Sequence, residues 1–207
     1  MKRLAALVFV PCLALAKPVP PNIVHIIADD LGWNDVGFHG SEIHTPAIDQ
    51  LAGESVVLDR FYVAPICSPT RAGALTGRYP FRYGIWGGVC NPTSRHGLPP
   101  AETTTPEMLA EAGYPHRALM GKWHLGLASS MFDPLAHGFT DFYGHYNGAI
   151  DYFSRTRAGQ SDWHRGRETA REDGYSTDLL GDAAARFIRE IKGSSSSAHD
   201  GFSLESR

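Results

Sequence analysis

The chain has 207 residues, 22 acidic against 19 basic side chains, a net charge of −3 and 43% hydrophobic residues. The mild acidity argues against nucleic acid and against a polybasic membrane patch as partners. The length is enough for one domain with a buried core, and the chain carries no internal repeat.

Residues 1–16 read as a signal peptide: two cations, an apolar run, and Ala14-Leu15-Ala16 in the A-x-A cleavage pattern. An uncleaved anchor is the lesser reading, because the run falls short of the roughly 20 residues a spanning helix needs. No later segment is apolar for long enough to span, which predicts an exported chain without a stable membrane anchor, secreted, periplasmic or lysosomal. Cys12 leaves with the leader, so Cys67 and Cys90 remain. One disulfide between them is the plain alternative in an exported protein. No N-glycosylation sequon is present, since Asn91 is followed by Pro92.

Residues 22–28, NIVHIIA, form a predicted strand, β-branched and apolar on both faces, ended by Asp29-Asp30. Residues 45–53, 68–77 and 105–113 share one grammar: Ser or Thr as N-cap, Pro at the first helical position, an apolar face, and Gly as stop. Residues 56–63, VVLDRFYV, and 116–120, HRALM, are further predicted strands, leading into Cys67 and Lys122. A helix over 177–192 puts Leu180, Ala184, Phe187 and Ile191 on one face. Residues 193–207 are polar and of low complexity, and read as a disordered tail. The alternation of strands and helices predicts an α/β fold with a mainly parallel sheet, its ligand crevice at the carboxyl ends of the strands.

Three stretches at those ends carry chemistry. Asp29 and Asp30 would repel and shift each other's pKa unless a cation neutralised them, and adjacent carboxylates suit Ca²⁺ or Mg²⁺. A plain loop start is the alternative. Cys67 precedes a helix start, where N–H groups and the positive helix end favour an anion and a reactive thiol. Arg71 follows it after three residues, whereas a cysteine-phosphatase loop needs five, and position 73 is glycine. Lys122 and His124, two apart on a strand end, are expected to point the same way. Trp86, His145 and Asp151 are candidates for a substrate mouth, with core or solvated positions as the alternative. Asp35 and His39 read as loop structure.

The stretch CSPTRAGALTGR at 67–78 resembles the signature of the type I sulfatases, arylsulfatase-like enzymes of the alkaline phosphatase superfamily: Cys-x-Pro-Ser/Thr-Arg, an apolar stretch, then Thr-Gly-Arg. The segment PPNIVHIIADDLGWNDVGFHG is similar to their first strand with its metal-binding Asp-Asp. GKWHLG at 121–126 matches their second signature, and residues 137–153 are similar to the segment that follows. Ala74 stands where a bulkier apolar residue is usual, and one extra residue separates Gly-Tyr from Gly-Lys before Lys122.

The resemblance implies an alkaline phosphatase-like sandwich around a mainly parallel sheet, with residues 17–192 forming the N-terminal part of the catalytic domain. It implies conversion of Cys67 to formylglycine by a formylglycine-generating enzyme, a divalent metal held by Asp29, Asp30 and the converted Cys67, and a catalytic set of Cys67, Arg71, Lys122 and His124. The substrate would be a sulfated small molecule or sulfated glycan. The later part of such enzymes supplies an Asp-Asn pair, a histidine and a second lysine. Nothing after residue 192 resembles these, so the fold is expected to be incomplete at its C-terminus. An inactive fragment, at most a binder of sulfated ligands, is therefore the alternative to the enzyme. A phosphoester hydrolase of the same superfamily would carry Thr or Ser at position 67.

Overall fold

The computed structural model describes residues 20–194 and 200–206. The predicted signal peptide lies outside the described residues. Among the described residues four α-helices occur, α1 (Pro46–Glu54), α2 (Cys67–Thr76), α3 (Thr105–Glu111) and α4 (Ser176–Ser194). The strands are β1 (Ile23–Ala28), β2 (His116–Lys122), β3 (Asp141–His145), the two-residue β4 (Thr156–Arg157), β5 (Gln160–Ser161), β6 (His164–Arg165) and β7 (Glu168–Thr169), and β8 (Asp200–Ser206).

The main sheet has the order β1-β8-β2-β3-β6-β7. Its first four strands are parallel, β6 and β7 continue it antiparallel beyond β3, and β4 and β5 form a separate antiparallel pair. The expected α/β class with a mainly parallel sheet is therefore what the chain forms. Side chains alternate across β2 and β3, because successive residues of a strand face opposite ways. Leu119 and Phe142 join Ala72, Leu75, Leu98, Trp123 and Leu125 in one buried cluster beneath α2. Ala118, Met120 and Tyr143 join Trp163, Leu180, Ala183 and Ala184 in a second beneath α4. The sheet is thus the middle layer between α2 and α4, with both faces of β2 and β3 buried.

The helices form for reasons visible in their sequences. Thr104 caps α3 in a reciprocal box: the Glu107 carboxylate accepts from the Thr104 amide at 2.7 Å and from its hydroxyl at 2.9 Å. α2 stops at Gly77, whose φ of 63° is left-handed and whose N–H reaches the Gly73 carbonyl. α4 buries Leu180, Ala184 and Ile191, with Phe187 partly covered, which is the predicted face.

Three expectations fail. Residues 56–63 form no strand and are all exposed. A β-branched run becomes a strand only where it finds a partner and a covered face, and among the described residues it finds neither. The tail is not structureless throughout, since Asp200–Ser206 enters the sheet between β1 and β2, hydrogen-bonded to both. A low-complexity reading gives the serines too much weight; the strand lies beyond them, where Phe202 and Leu204 alternate with polar residues. Third, β1 is not buried on both faces. It is the edge of the described sheet, with Val24 50% and Ile26 57% exposed.

Candidate active site

The site assembles at the carboxyl ends of β1 and β2 and at the start of α2. The helix starts two residues earlier than expected, so Cys67, not Pro69, is its first residue. Ile66, extended at φ −141° and ψ 153°, is the N-cap and offers no side-chain cap. Ser68 is not the cap because its hydroxyl is engaged elsewhere: it donates to the His124 carbonyl at 2.7 Å and accepts from the Cys90 amide at 3.0 Å.

Arg71, one turn along α2, is buried and donates from Nη2 to Asp29 Oδ2 at 2.5 Å and from Nη1 to the Lys122 carbonyl at 2.7 Å. The Lys122 Nζ lies 2.7 Å from the same Asp29 oxygen. The three side chains are almost fully buried, 5% exposed for Asp29 and 3% for Arg71 and Lys122. Burial alone would raise the Asp29 carboxyl. Hydrogen bonds from Lys122 and Arg71, with their charges, overturn that and hold it at about 2. Two cations about one carboxylate leave the trio with net positive charge, a setting that favours an anion.

His124 lies beside them with its Nδ1 3.1 Å from Cys67 Sγ. Burial, then the charges of Lys122 and Arg71, pull its pKa down to about 3, so the ring is neutral at pH 7. The expectation that Lys122 and His124 project together from an extended strand is corrected. β2 ends at Lys122 and His124 is left-handed, at φ 56°. Lys122 turns to Asp29 and His124 to Cys67, two neighbouring points of one site. Cys67 and Cys90 are both free thiols, which disposes of the disulfide. Burial pushes the Cys90 thiol up to about 11.

Asp29, Asp30 and Cys67 line one cleft with Arg71. Asp30 is exposed and left-handed, at φ 57°. Carboxylates are the right donor type for Ca²⁺ or Mg²⁺, but Ca²⁺ takes six to eight oxygens and Asp29 already serves two cations. Among the described residues no group of three or more His, Cys, Asp or Glu is placed to hold a metal. The donors present therefore fit a divalent cation in kind but not in number. Position 67 is better provided with partners. The partly exposed Cys67 points at a neutral imidazole and heads a helix, so an oxygen in place of its sulfur would have a hydrogen-bond partner at hand.

Of the outer candidates, His145 is buried and lines a second, small cavity with Asp29, Arg71 and Lys122; its Nδ1 is 2.8 Å from the Asn147 carbonyl. Asp151 caps its own turn, accepting from the Phe153 and Ser154 amides at 3.0 and 2.6 Å, and Trp86 is exposed. Asp35 accepts from the Gly32 amide and His39 stacks on Trp33, and where loop structure was expected both residues end short 3-10 turns. Sequence reasoning missed Ser68 and Gly148, which seat His124. Only their nearness to the recognised stretches could have signalled them.

The mainly parallel α/β sheet, with its polar cluster at the carboxyl edge, has the alkaline phosphatase-like fold. The sulfatase family model matches residues 21–199, and the chain belongs to that family. Arylsulfatase J of Mus musculus is 42% identical over 134 residues, covering 65% of this chain and 22% of that protein. N-acetylgalactosamine-6-sulfatase of Rattus norvegicus is 42% identical over 146 residues, covering 65% and 27%. Human arylsulfatase A is 47% identical over 135 residues, covering 64% and 26%. The chain thus spans about a quarter of the length of these relatives. Among solved structures, Ps i-CgsB in complex with a neocarrahexaose superposes with a TM-score of 0.80 at 31% identity, over 91% of this chain and 45% of that one. BT4656 in complex with its substrate D-glucosamine-2-N,6-O-disulfate gives 0.68 at 25%, over 89% and 34%.

Proposed function

We propose that residues 17–192 are the N-terminal part of a sulfuric ester hydrolase domain acting on a sulfated small molecule or sulfated glycan, in a chain exported by its first 16 residues. The observation that carries this is the meeting of the buried Asp29–Arg71–Lys122 trio with the Cys67–His124 contact. The relatives support it in chemistry, since all three carry sulfatase names over sugars or aryl groups and one neighbour holds a sulfated glucosamine.

Formylglycine made from Cys67 would supply, as its hydrate, the hydroxyl that takes the sulfuryl group and later releases it. The rest falls to the chain's own residues. Lys122 and Arg71 bind the sulfate oxygens. An ammonium has three donors and a guanidinium five, so each can hold an anion as well as Asp29. Asp29 fixes both cations in direction, and such preorganised charge acts without rearrangement as negative charge develops. His124, neutral, orients the group at position 67 through its Nδ1 contact. Asp29 and Asp30 would hold the divalent metal, Ca²⁺ or Mg²⁺, with oxygens beyond those described here. Sulfate is distinguished from phosphate by position 67, where a phosphoester hydrolase would carry a hydroxyl side chain.

The chain co-produced with a formylglycine-generating enzyme should yield a residue-67 peptide with the mass of the aldehyde, and should cleave an aryl sulfate in preference to the matching aryl phosphate. A folded chain whose Cys67 stays a thiol, or one that prefers the phosphate, would overturn the reading. The second reading, a non-catalytic binder of sulfated ligands, is favoured by the small set of metal donors among the described residues. It predicts conversion of Cys67 and binding of a sulfated sugar without sulfate release.

A further inference from the structure

We propose that Ser68 is a positioning residue: its buried hydroxyl joins the His124 carbonyl to the Cys90 amide and so holds the His124 ring against Cys67, in a seat that Gly148 keeps open. This deepens the reading of the site as a sulfatase site and rests on it for its purpose, though not for its test.

His124 adopts φ 56°, a conformation that a residue with a side chain rarely takes and that its surroundings must impose. Three contacts do so. Its amide donates to the Tyr146 carbonyl at 3.0 Å, its carbonyl accepts from Ser68 Oγ at 2.7 Å, and its ring meets Cys67 Sγ at 3.1 Å. Ser68 is fully buried and also takes the Cys90 amide at 3.0 Å. Its hydroxyl therefore satisfies one buried acceptor and one buried donor, which no apolar side chain can do. It fastens the head of α2, the end of β2 and the loop at Cys90 to one point. The other side of the ring lies against Gly148. A Cβ there would stand 2.6 Å from Nε2 and 2.9 Å from Nδ1, and closer still to Cε1, so the ring would have to swing away. Ser68 occupies the unspecified position of the Cys-x-Pro-Ser/Thr-Arg pattern, next to the residue it serves through the histidine.

The test uses the unmodified 207-residue chain, so turnover is not required. Iodoacetamide alkylation of Cys67 is timed by peptide mass, with His124→Ala as reference, and the ring nitrogen shifts of His124 are read by NMR. A thiol's alkylation follows its thiolate character and access, so Ser68→Ala and Gly148→Ala should each change the rate at least about threefold, in the direction of His124→Ala. Both should shift the His124 ring signals while melting as cooperatively as the parent. Ser68→Thr, which keeps the hydroxyl, should retain the parent rate. In the His124→Ala background, Ser68→Ala should add nothing, because its effect runs through the ring. If Ser68→Ala does not fold, Gly148→Ala, pressing the same ring from the other side, carries the test with the same readings. A parent rate in Ser68→Ala, a further change in the double variant, or an unchanged rate in His124→Ala would each overturn the proposal. Failure to release sulfate would count against the sulfatase reading alone.

Discussion

Residues 114–147 and residues 23–66 contribute to one site but are built in different ways. In the first, β2 and β3 lie in the middle layer, and Leu119, Met120, Trp123 and Phe142 are each buried. Lys122 and His124 are delivered by that packing. In the second, Val36 is the buried hydrophobic residue, whereas Val56 and Tyr62 are 85% and 86% exposed. Asp29 is placed at the end of an edge strand and is fixed by the cations it meets. The contrast teaches that the cationic half of the site is held by the core, and the acidic half by ion pairs to that half.

The contrast breaks most visibly if its packed side is cut. Trp163→Ala removes a fully buried ring that packs on Ala118, Met120 and Tyr143 of that side, and should lower stability by about 3–5 kcal/mol in denaturant unfolding. A loss under about 1 kcal/mol would mean that this side is no better packed than the other. Next is the charge at the junction. Lys122→Met should reduce sulfate release by roughly 10²- to 10³-fold with a smaller change in KM, as for other losses of a preorganised charge. A change confined to KM would make Lys122 a ground-state binder.

A smaller effect is expected in acid. Asp162 accepts from the Tyr146 and Asn147 amides at 3.0 and 2.7 Å and pairs with His164 at 3.0 Å. Burial would raise its carboxyl, but these bonds hold it at about 2 against an ordinary 3.8. Its folded pKa is depressed, so its contribution is full above the unfolded value and is lost as pH falls through about 2. Asp162→Asn should therefore flatten the acid limb of the stability curve between about pH 4 and pH 2, a difference of about 2 kcal/mol. An unchanged acid limb would contradict the assigned bonds. The smallest effect belongs to the exposed side: Leu58→Ala should alter stability by no more than about 0.5 kcal/mol. A loss of several kcal/mol would show that residues 56–63 are covered in solution, and the two regions would no longer differ.

The elements around Lys122 were legible because local signals and burial agree there. HRALM is apolar, the helix after residue 176 is periodic, and each finds a partner in the layer above or below. VVLDRFYV carries an equally strong strand signal, but β-propensity measures fit to a covered, paired surface, and the described sheet offers none. The entry of Asp200–Ser206 into the sheet was hidden by the serines before it. Within the site, residue identities could be read from the recognised stretches, but their partners could not. Nothing in a linear pattern tells that Asp29 is shared by Arg71 and Lys122, or that Ser68 turns inward to His124 instead of capping its helix. Such contacts join residues more than 40 apart and are set only when β1, β2 and α2 meet.

The most direct measurement is release of inorganic sulfate from an aryl sulfate by the 207-residue chain, co-produced with a formylglycine-generating enzyme and assayed with Ca²⁺, beside Cys67→Ala. The account predicts steady release that is abolished in Cys67→Ala. Equal release by the variant, or none from a folded chain carrying the aldehyde, would contradict it.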